Sequence, residues 1–467
     1  MDQAQPSQVR LAGRALEDEF NQIAASLGGD VASRAAGDDY LLSTYALYHG
    51  GPASWAFTPK VFDEAGIALL RDAAETMGRI MERVTQAYLE DASIRALFHL
   101  PRALEELTLV PAGYRRMVPI GRVDVFLNEE TGDFQFCELN TDGSAGMTVT
   151  AEVTQAIQRS ATYAEFARRH PRIETFDVRR RCLWALLDTY AEWAQAHRGI
   201  CDRHPSLAVV DYADSVSADE VDDLLEILRG WGVYAHFADI RELTVQRVGG
   251  VDRLVDSRGP ITCVWRRAVT SEVAARPCSG THALRHATQE GVVATVGGFR
   301  TWPCAAKTVF SALYEPECRR LLSSDEVAFV DAHVPETHVL TPESDLSRFA
   351  DKDGWIAKPA GGYNSAGVVA GLDVTQRQWM DRLAVAARSG DVVQRYATQY
   401  RTPVLEGGEL PEGANPLEAR LASNMEGLYL FDGEFGGVFT RCGYGNTIGE
   451  RVGRLNMGCL VVREGEA

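Results

Sequence analysis

The segment VPIGRVDVFLNEETGDFQFCELN, residues 118–140, constrains this chain more than any other. Two runs of alternating apolar and polar residues flank an Asn-Glu-Glu-Thr-Gly-Asp turn, the pattern of a β-hairpin. Side chains alternate across a strand, so Arg122 and Asp124 share a face of the first strand, and Glu138 and Asn140 share one of the second. An arginine, two carboxylates and an amide oxygen then converge across one ladder. Oxygen ligands of this kind suit Mg²⁺, which takes one or two carboxylates and fills its octahedron with phosphates and waters. The planar fork of arginine matches phosphate. A solvated cross-strand ion pair is the plain alternative for any single hairpin.

The surroundings of the hairpin read as helices: residues 62–92, 151–170 and 179–197 carry apolar side chains at helical spacing. From Ser206 the texture changes to the strand SLAVVDYAD, the helix SADEVDDLLEILRGWG, the strand VYAHFADI and a third strand, PITCVWRRAV. This alternation predicts a small parallel sheet. From about Arg300 onward, short strands alternate with glycine turns and one helix at 375–388. A chain of 467 residues exceeds the roughly 250–300 at which single cores stop growing. Three units are expected: a mostly helical region with the hairpin (1–178), an α/β unit (179–300), and a nucleotide-binding region (301–467) with a glycine-rich lid at about 325–395.

Composition narrows the function classes. A formal charge of -18 argues against a nucleic-acid binder, which must neutralise phosphates with Lys and Arg. No run approaches the ~20 apolar residues of a membrane span. The N-terminus MDQAQPSQVRLAGRALEDEF lacks the apolar core of a signal peptide. Nine scattered cysteines with no CxxC pair indicate neither a disulfide framework nor a zinc knuckle. A reducing, cytoplasmic setting is expected, with a homodimer allowed.

A second constellation is Trp355-Ile-Ala-Lys358-Pro-Ala-Gly361-Gly362-Tyr-Asn-Ser-Ala-Gly367. A strand delivers a lysine into a glycine loop, where backbone N–H groups can approach phosphate oxygens and the ammonium supplies a point charge. It differs from a P-loop, which opens a helix and ends in GK[ST]. Lys307 precedes a predicted helix. The strand Asp391-Val-Val-Gln394-Arg-Tyr396-Ala397 could border a nucleotide base. Arg441, after Gly436-Gly, could stabilise charge developing in phosphoryl transfer. The two histidines one helical turn apart, His282 and His286, lack the glutamate of a zinc-protease helix and read as structural or surface groups.

In this order the motifs resemble the synthetase domain of the glutathionylspermidine synthase family, circularly permuted ATP-grasp ligases. The matching pieces are Arg122-x-Asp124, Glu138-x-Asn140-x-Asp142, Lys307, Lys358-Pro-Ala-Gly-Gly, Gln394 and Gly436-Gly-Val-Phe-Thr-Arg441. Val264-Trp-Arg266-Arg267 is similar to the strand ending the family's preATP-grasp unit. The resemblance implies an ATP-grasp fold with permuted motif order and a preATP-grasp-like parallel-sheet domain. It implies an ATP-dependent, ADP-forming carboxylate-amine ligase that works through an acyl-phosphate, with a small-molecule kinase as the alternative. Asp124, Glu138 and Asn140 would hold one or two Mg²⁺ ions. Lys307, Lys358, the loop glycines Gly361, Gly362 and Gly367, and the base-bordering Gln394, Tyr396 and Ala397 would hold ATP. Arg122 and Arg441 would be catalytic, and Asp142, Ser144, Arg266 and Arg267 would contact substrate. The partners implied are a small-molecule acid and an amine, or an acid on a carrier protein. Ala306 stands where family members usually carry Asn, Cys-Gly-Tyr-Gly-Asn follows Arg441, and no amidase domain precedes the motifs.

Overall fold

A computed structural model describes residues 11–197, 204–362, 365–449 and 452–463. The hairpin forms as the strands Ile120–Leu127 and Phe134–Asn140, closed by a turn in which the Gly132 N–H donates to the Asn128 carbonyl at 2.8 Å. Arg122 stands opposite Asn140 and Asp124 opposite Glu138, and the register then slips between Asp124 and Val125. Such a bulge re-aims side chains beside it.

The hairpin is the edge of an eight-stranded sheet whose main path runs 55–62, 455–462, 434–443, 420–431, 120–127 and 134–140. On the face away from the site it packs on the helix Glu64–Glu90. Asp63 starts that helix, its Oδ1 accepting the Gly66 N–H at 2.8 Å. Ile67, Leu70, Met77, Met81 and Val84 recur at helical spacing and meet Val123, Val125, Leu428 and Leu430 of the sheet. Each such side chain stabilises by about 1.5–3 kcal/mol when fully buried. The expected helix at 151–170 is two helices, Met147–Gln158 and Ala161–Arg169, because Ser160 caps the second through its hydroxyl.

The predicted strands at 206–211, 234–239 and 263–266 form a parallel sheet, with a fourth at 294–296. Their order, 294–296, 263–266, 206–211, 234–239, places the first strand in the chain next to both later neighbours. A three-stranded meander, 244–261, intervenes and was not expected from the sequence. A second four-stranded sheet, antiparallel, joins 337–339, 392–395, 355–358 and 369–370 and carries its own core of Leu340, Phe349, Trp355, Trp379, Leu383 and Val393. The whole is a mixed α+β architecture. No helix among the described residues is long and apolar enough to cross a membrane.

Candidate active site

The acid of the first hairpin strand sits at the centre of a charged cluster. Asp124 is fully buried; its Oδ1 accepts Arg122 Nε at 2.7 Å and its Oδ2 accepts Arg122 Nη2 at 3.1 Å. Arg441 reaches the same Oδ2 at 2.5 Å from two strands away, and Asn140 Nδ2 donates to it at 3.0 Å. Gly427, on the strand between, makes room: a Cβ there would lie 2.7 Å from Arg122 Cδ and 2.9 Å from Asp124 Oδ1. Burial pushes the Asp124 carboxyl up, but Arg122 and Arg441 outweigh it and hold it down to about 2. Arg441 Nε is buried without a partner.

These contacts refine the expected metal set. Asp124 spends its oxygens on two guanidiniums and an amide and does not line the cavity in front of the cluster. In this arrangement it positions the arginines. Glu138 is the hairpin carboxylate that opens to the cavity, its side chain 28% exposed. Asn140 Nδ2 lies 3.3 Å from Glu138 Oε1, and Asn140 lines the cavity too. Among the described residues no group of three or more His, Cys, Asp or Glu gathers into a cation site. A cation beside Glu138 and Asn140 would draw further oxygens from a ligand, as Mg²⁺ does from phosphates.

Both predicted lysines reach this place from distant segments. Lys358, ending the Trp355–Lys358 strand, donates from Nζ to the Cys137 carbonyl at 3.0 Å and to Gln394 Oε1 at 2.7 Å. Gln394 is fixed in turn, its Nε2 donating to Thr337 Oγ1 at 2.9 Å. Lys307 precedes a single helical turn, Val309–Ala312; its backbone N–H donates to the Ala360 carbonyl and its Nζ lies 3.8 Å from Glu138 Oε2. Burial pushes the Lys307 ammonium down, Glu138 opposes this, and nearby Lys358 lowers it further. Two neighbouring buried ammonium groups, of which Lys307 alone has a carboxylate within 4 Å and Lys358 has neutral oxygens, are short of negative charge, which fits a polyanion.

A cavity of about 410 Å³ joins these groups. It lies between the eight-stranded sheet and the small antiparallel sheet. Gly362, Ser365 and Val368 of the glycine loop line it, whereas Gly361 and Gly367 pack behind. Gly367 holds φ at +72°, and a Cβ there would meet Pro359 Cγ at 2.8 Å. Tyr363 and Asn364 lie outside the described residues. Tyr396 and Ala397 line the far wall with Phe126, Phe136, Ile356 and Met425, an apolar slot suited to a flat ring. The Tyr396 hydroxyl donates to the Asn446 carbonyl at 2.8 Å, tying this wall to the loop after Arg441.

The four residues expected at the substrate divide. Ser144 lines the cavity while its hydroxyl donates to the Asn140 carbonyl. Arg266 does not reach the cavity: it is fully buried, pairs with Asp142 and donates to the carbonyls of Gly297 and Ala268. Asp142 also accepts the Thr270 N–H at 2.6 Å and the Thr301 hydroxyl at 2.8 Å, so the pair clasps the hairpin to the parallel sheet. Arg267 does line the cavity. Sequence reasoning missed Asp211, Ser215 and Glu272, which line the same end. Asp211 closes a predicted parallel strand, and the carboxyl end of such a strand is where ligands collect, which was the available signal.

No protein-family model matches the sequence, and no curated protein matches it. Among solved structures, the chain is similar to a glutathione synthetase-like effector from Globodera pallida in its apo form, with a TM-score of 0.61 at 10% identity over 92% of this chain and 96% of that one. That likeness shows the fold. Looser likenesses are to a protein assigned as a gamma-glutamylcysteine synthetase from Methylobacillus flagellatus (TM-score 0.37, 12% identity, 82% and 85% of the two chains) and to the D-cycloserine synthetase DcsG (0.28, 15%, 55% and 91%).

Proposed function

We propose that this protein is an ATP-dependent carboxylate-amine ligase that activates an acid as its acyl-phosphate, releases ADP and forms an amide. The observation that carries this reading is the convergence of Lys307, Lys358, Glu138 and Asn140, from three separate stretches of chain, on one cavity between the eight-stranded sheet and the small antiparallel sheet. The fold shared with a glutathione synthetase-like protein agrees with it.

In this reading Lys307 and Lys358 hold the inner phosphates of ATP. Their present partners, a backbone carbonyl and the Gln394 amide oxygen among them, stand where phosphate oxygens would bind. Glu138 and Asn140 would hold Mg²⁺, which would supply positive charge to the outer phosphates, while Asp124 behind them fixes the two arginines. Arg441, with its unpartnered Nε, and Arg122 face the transferring phosphoryl group, locked in direction by Asp124. Phosphoryl transfer is mostly positioning and charge neutralisation, so preset cations are what the chemistry needs. Acceptor attack then expels phosphate from the activated carbonyl, and the loop around Gly362 shields that carbonyl from water.

The test is Glu138→Gln. Glu138 is partly exposed and pairs only weakly with Lys307, so the variant is expected to fold with an unchanged circular dichroism spectrum and to lose ADP formation by at least a hundredfold. Wild-type turnover of the folded variant with Mg²⁺ would remove the metal assignment.

A further inference from the structure

The cavity extends beyond the phosphate-binding groups to the carboxyl edge of the parallel sheet, where two opposite charges stand side by side. Asp211 ends the strand Ser206–Asp211, and Arg267 follows the strand Cys263–Arg266. The two strands are neighbours, with Val210 opposite Arg266, and adjacent strands lie about 4.8 Å apart. They are also where the sheet reverses: the chain leaves 206–211 to one side, for 234–239, and returns to the other, for 263–266. In open parallel sheets the crevice at such a reversal is the usual ligand seat.

Both groups have capacity to spare. Arg267 is buried, donates from Nη2 to Glu220 Oε1 at 2.9 Å, and keeps Nη1 buried with no partner. Asp211 is 8% exposed; its Oδ1 accepts the Tyr212 N–H at 2.8 Å. Burial lifts its carboxyl to about 6, against the pull of Arg267 and Arg266 and with Glu272 adding to the rise. A buried donor and a poorly compensated carboxylate on one wall are costly unless something completes them. Glu272 stands on the same wall, its Oε1 accepting the Ser215 hydroxyl at 2.6 Å and Arg276 Nη1 at 2.7 Å.

The wall is coupled to the hairpin. Glu220, the partner of Arg267, accepts the Gly146 N–H at 2.7 Å through its other oxygen. Gly143 holds φ at +69°, and a Cβ there would lie 2.7 Å from the Arg267 carbonyl oxygen. The 143–146 loop, which leaves the Glu138–Asn140 strand, is therefore pressed against this end of the cavity.

We infer that this end of the cavity is a seat for an α-amino-acid head, with the carboxylate on Arg267 Nη1 and the ammonium on Asp211 backed by Glu272, so that one substrate is an amino acid or a derivative keeping both charges on one carbon. A plain carboxylate would leave Asp211 uncompensated, and a plain amine would leave Arg267 Nη1 unpaired. The inference rests on the ligase reading for calling the occupant a substrate, but binding there is independent of turnover.

The test is binding by the full chain, without chemistry, of a panel of the twenty proteinogenic amino acids, their D forms and their γ-glutamyl and glycyl dipeptides. Ligand-observed NMR is run with the non-hydrolysable analogue AMPPNP and Mg²⁺ present, and AMPPNP affinity is measured separately by calorimetry. At least one panel member is expected to bind, and its deamino and decarboxy analogues each to bind at least tenfold more weakly. Asp211→Asn, which is isosteric and keeps the acceptor for Tyr212, should weaken the hit at least tenfold while leaving AMPPNP affinity within twofold. The inference is overturned if no member binds, if a hit binds equally well without either charge, or if Asp211→Asn leaves its affinity unchanged. AMPPNP binding with no amino-acid binding would sink the seat and spare the nucleotide site. Amino-acid binding without AMPPNP binding would do the reverse.

Discussion

Two carboxylates on adjoining strands show how far neighbours, not burial alone, decide a charge. Asp124 and Glu426 are both fully buried, on opposite faces of the same sheet. Asp124 has two guanidiniums, and its carboxyl falls to about 2. Glu426 shares one ammonium, that of Lys60, with Glu17 and Glu129, at Nζ–O distances of 3.9, 3.1 and 2.5 Å. Burial therefore wins there: Glu426 rises to about 7 and Glu17 to about 8, while Lys60 stays charged because its three acids outweigh its burial. The folded pKa of these two acids lies above the unfolded one, so their contribution is fully present below about pH 4.5 and is lost as pH climbs through 7 to 8. The loss is at most about 1.4 kcal/mol per pH unit for each proton. Thermal unfolding midpoints are expected to fall between pH 5.5 and 8.5, and Glu17→Gln to flatten that slope and raise the midpoint at pH 8.5. An unaltered slope in Glu17→Gln would show that the cluster does not hold the proton.

At the scale of elements, the site is a meeting of a hairpin, a strand-loop and a short helical turn. Lys358 arrives on a strand and Lys307 on irregular chain, yet both are buried within reach of the Glu138–Asn140 edge. Charged hydrogen bonds contribute about 1.5–3 kcal/mol each. Lys358→Ala and Lys307→Ala are each expected to weaken AMPPNP binding by ten- to hundredfold in calorimetry, to similar extents. Loss of affinity in only one variant would break the pairing. Lys358 and the hairpin were legible because each rests on local signals, namely turn chemistry, alternation and a glycine run, whereas Lys307 has no local signal and stood out only in the context of the other motifs. The strand Trp55–Phe62 was not, for it contains Pro59 and Lys60, which argue against a buried strand. It survives because it ends the main path of its sheet, where a missing N–H is tolerated, and because Glu17, Glu129 and Glu426 converge on the lysine from three other segments.

Over the whole molecule, the eight-stranded sheet takes strands from residues 55–62, 120–140 and 173–174 and again from 401–462, so distant parts of the chain build one surface. Arg441 meets Asp124 only through that closure, which is why the sequence suggested a metal ligand at Asp124 and the fold presents a clamp for two arginines. The order of motifs pointed to the cavity, but the parallel sheet's part in it was hidden, because Asp211 and Arg267 become neighbours only through strand pairing. The proposed function requires the cavity to activate a carboxylate, and the most direct measurement is to trap that activated group. The protein is incubated with ATP, Mg²⁺ and hydroxylamine, acid by acid, over amino acids and short peptides, and ADP and hydroxamate are quantified together. The expected result is an acid for which the two appear in equal amounts, with hydroxamate reduced at least tenfold in Arg441→Ala while AMPPNP still binds. ADP accumulating with a phosphate ester and without hydroxamate would contradict it and make the protein a kinase.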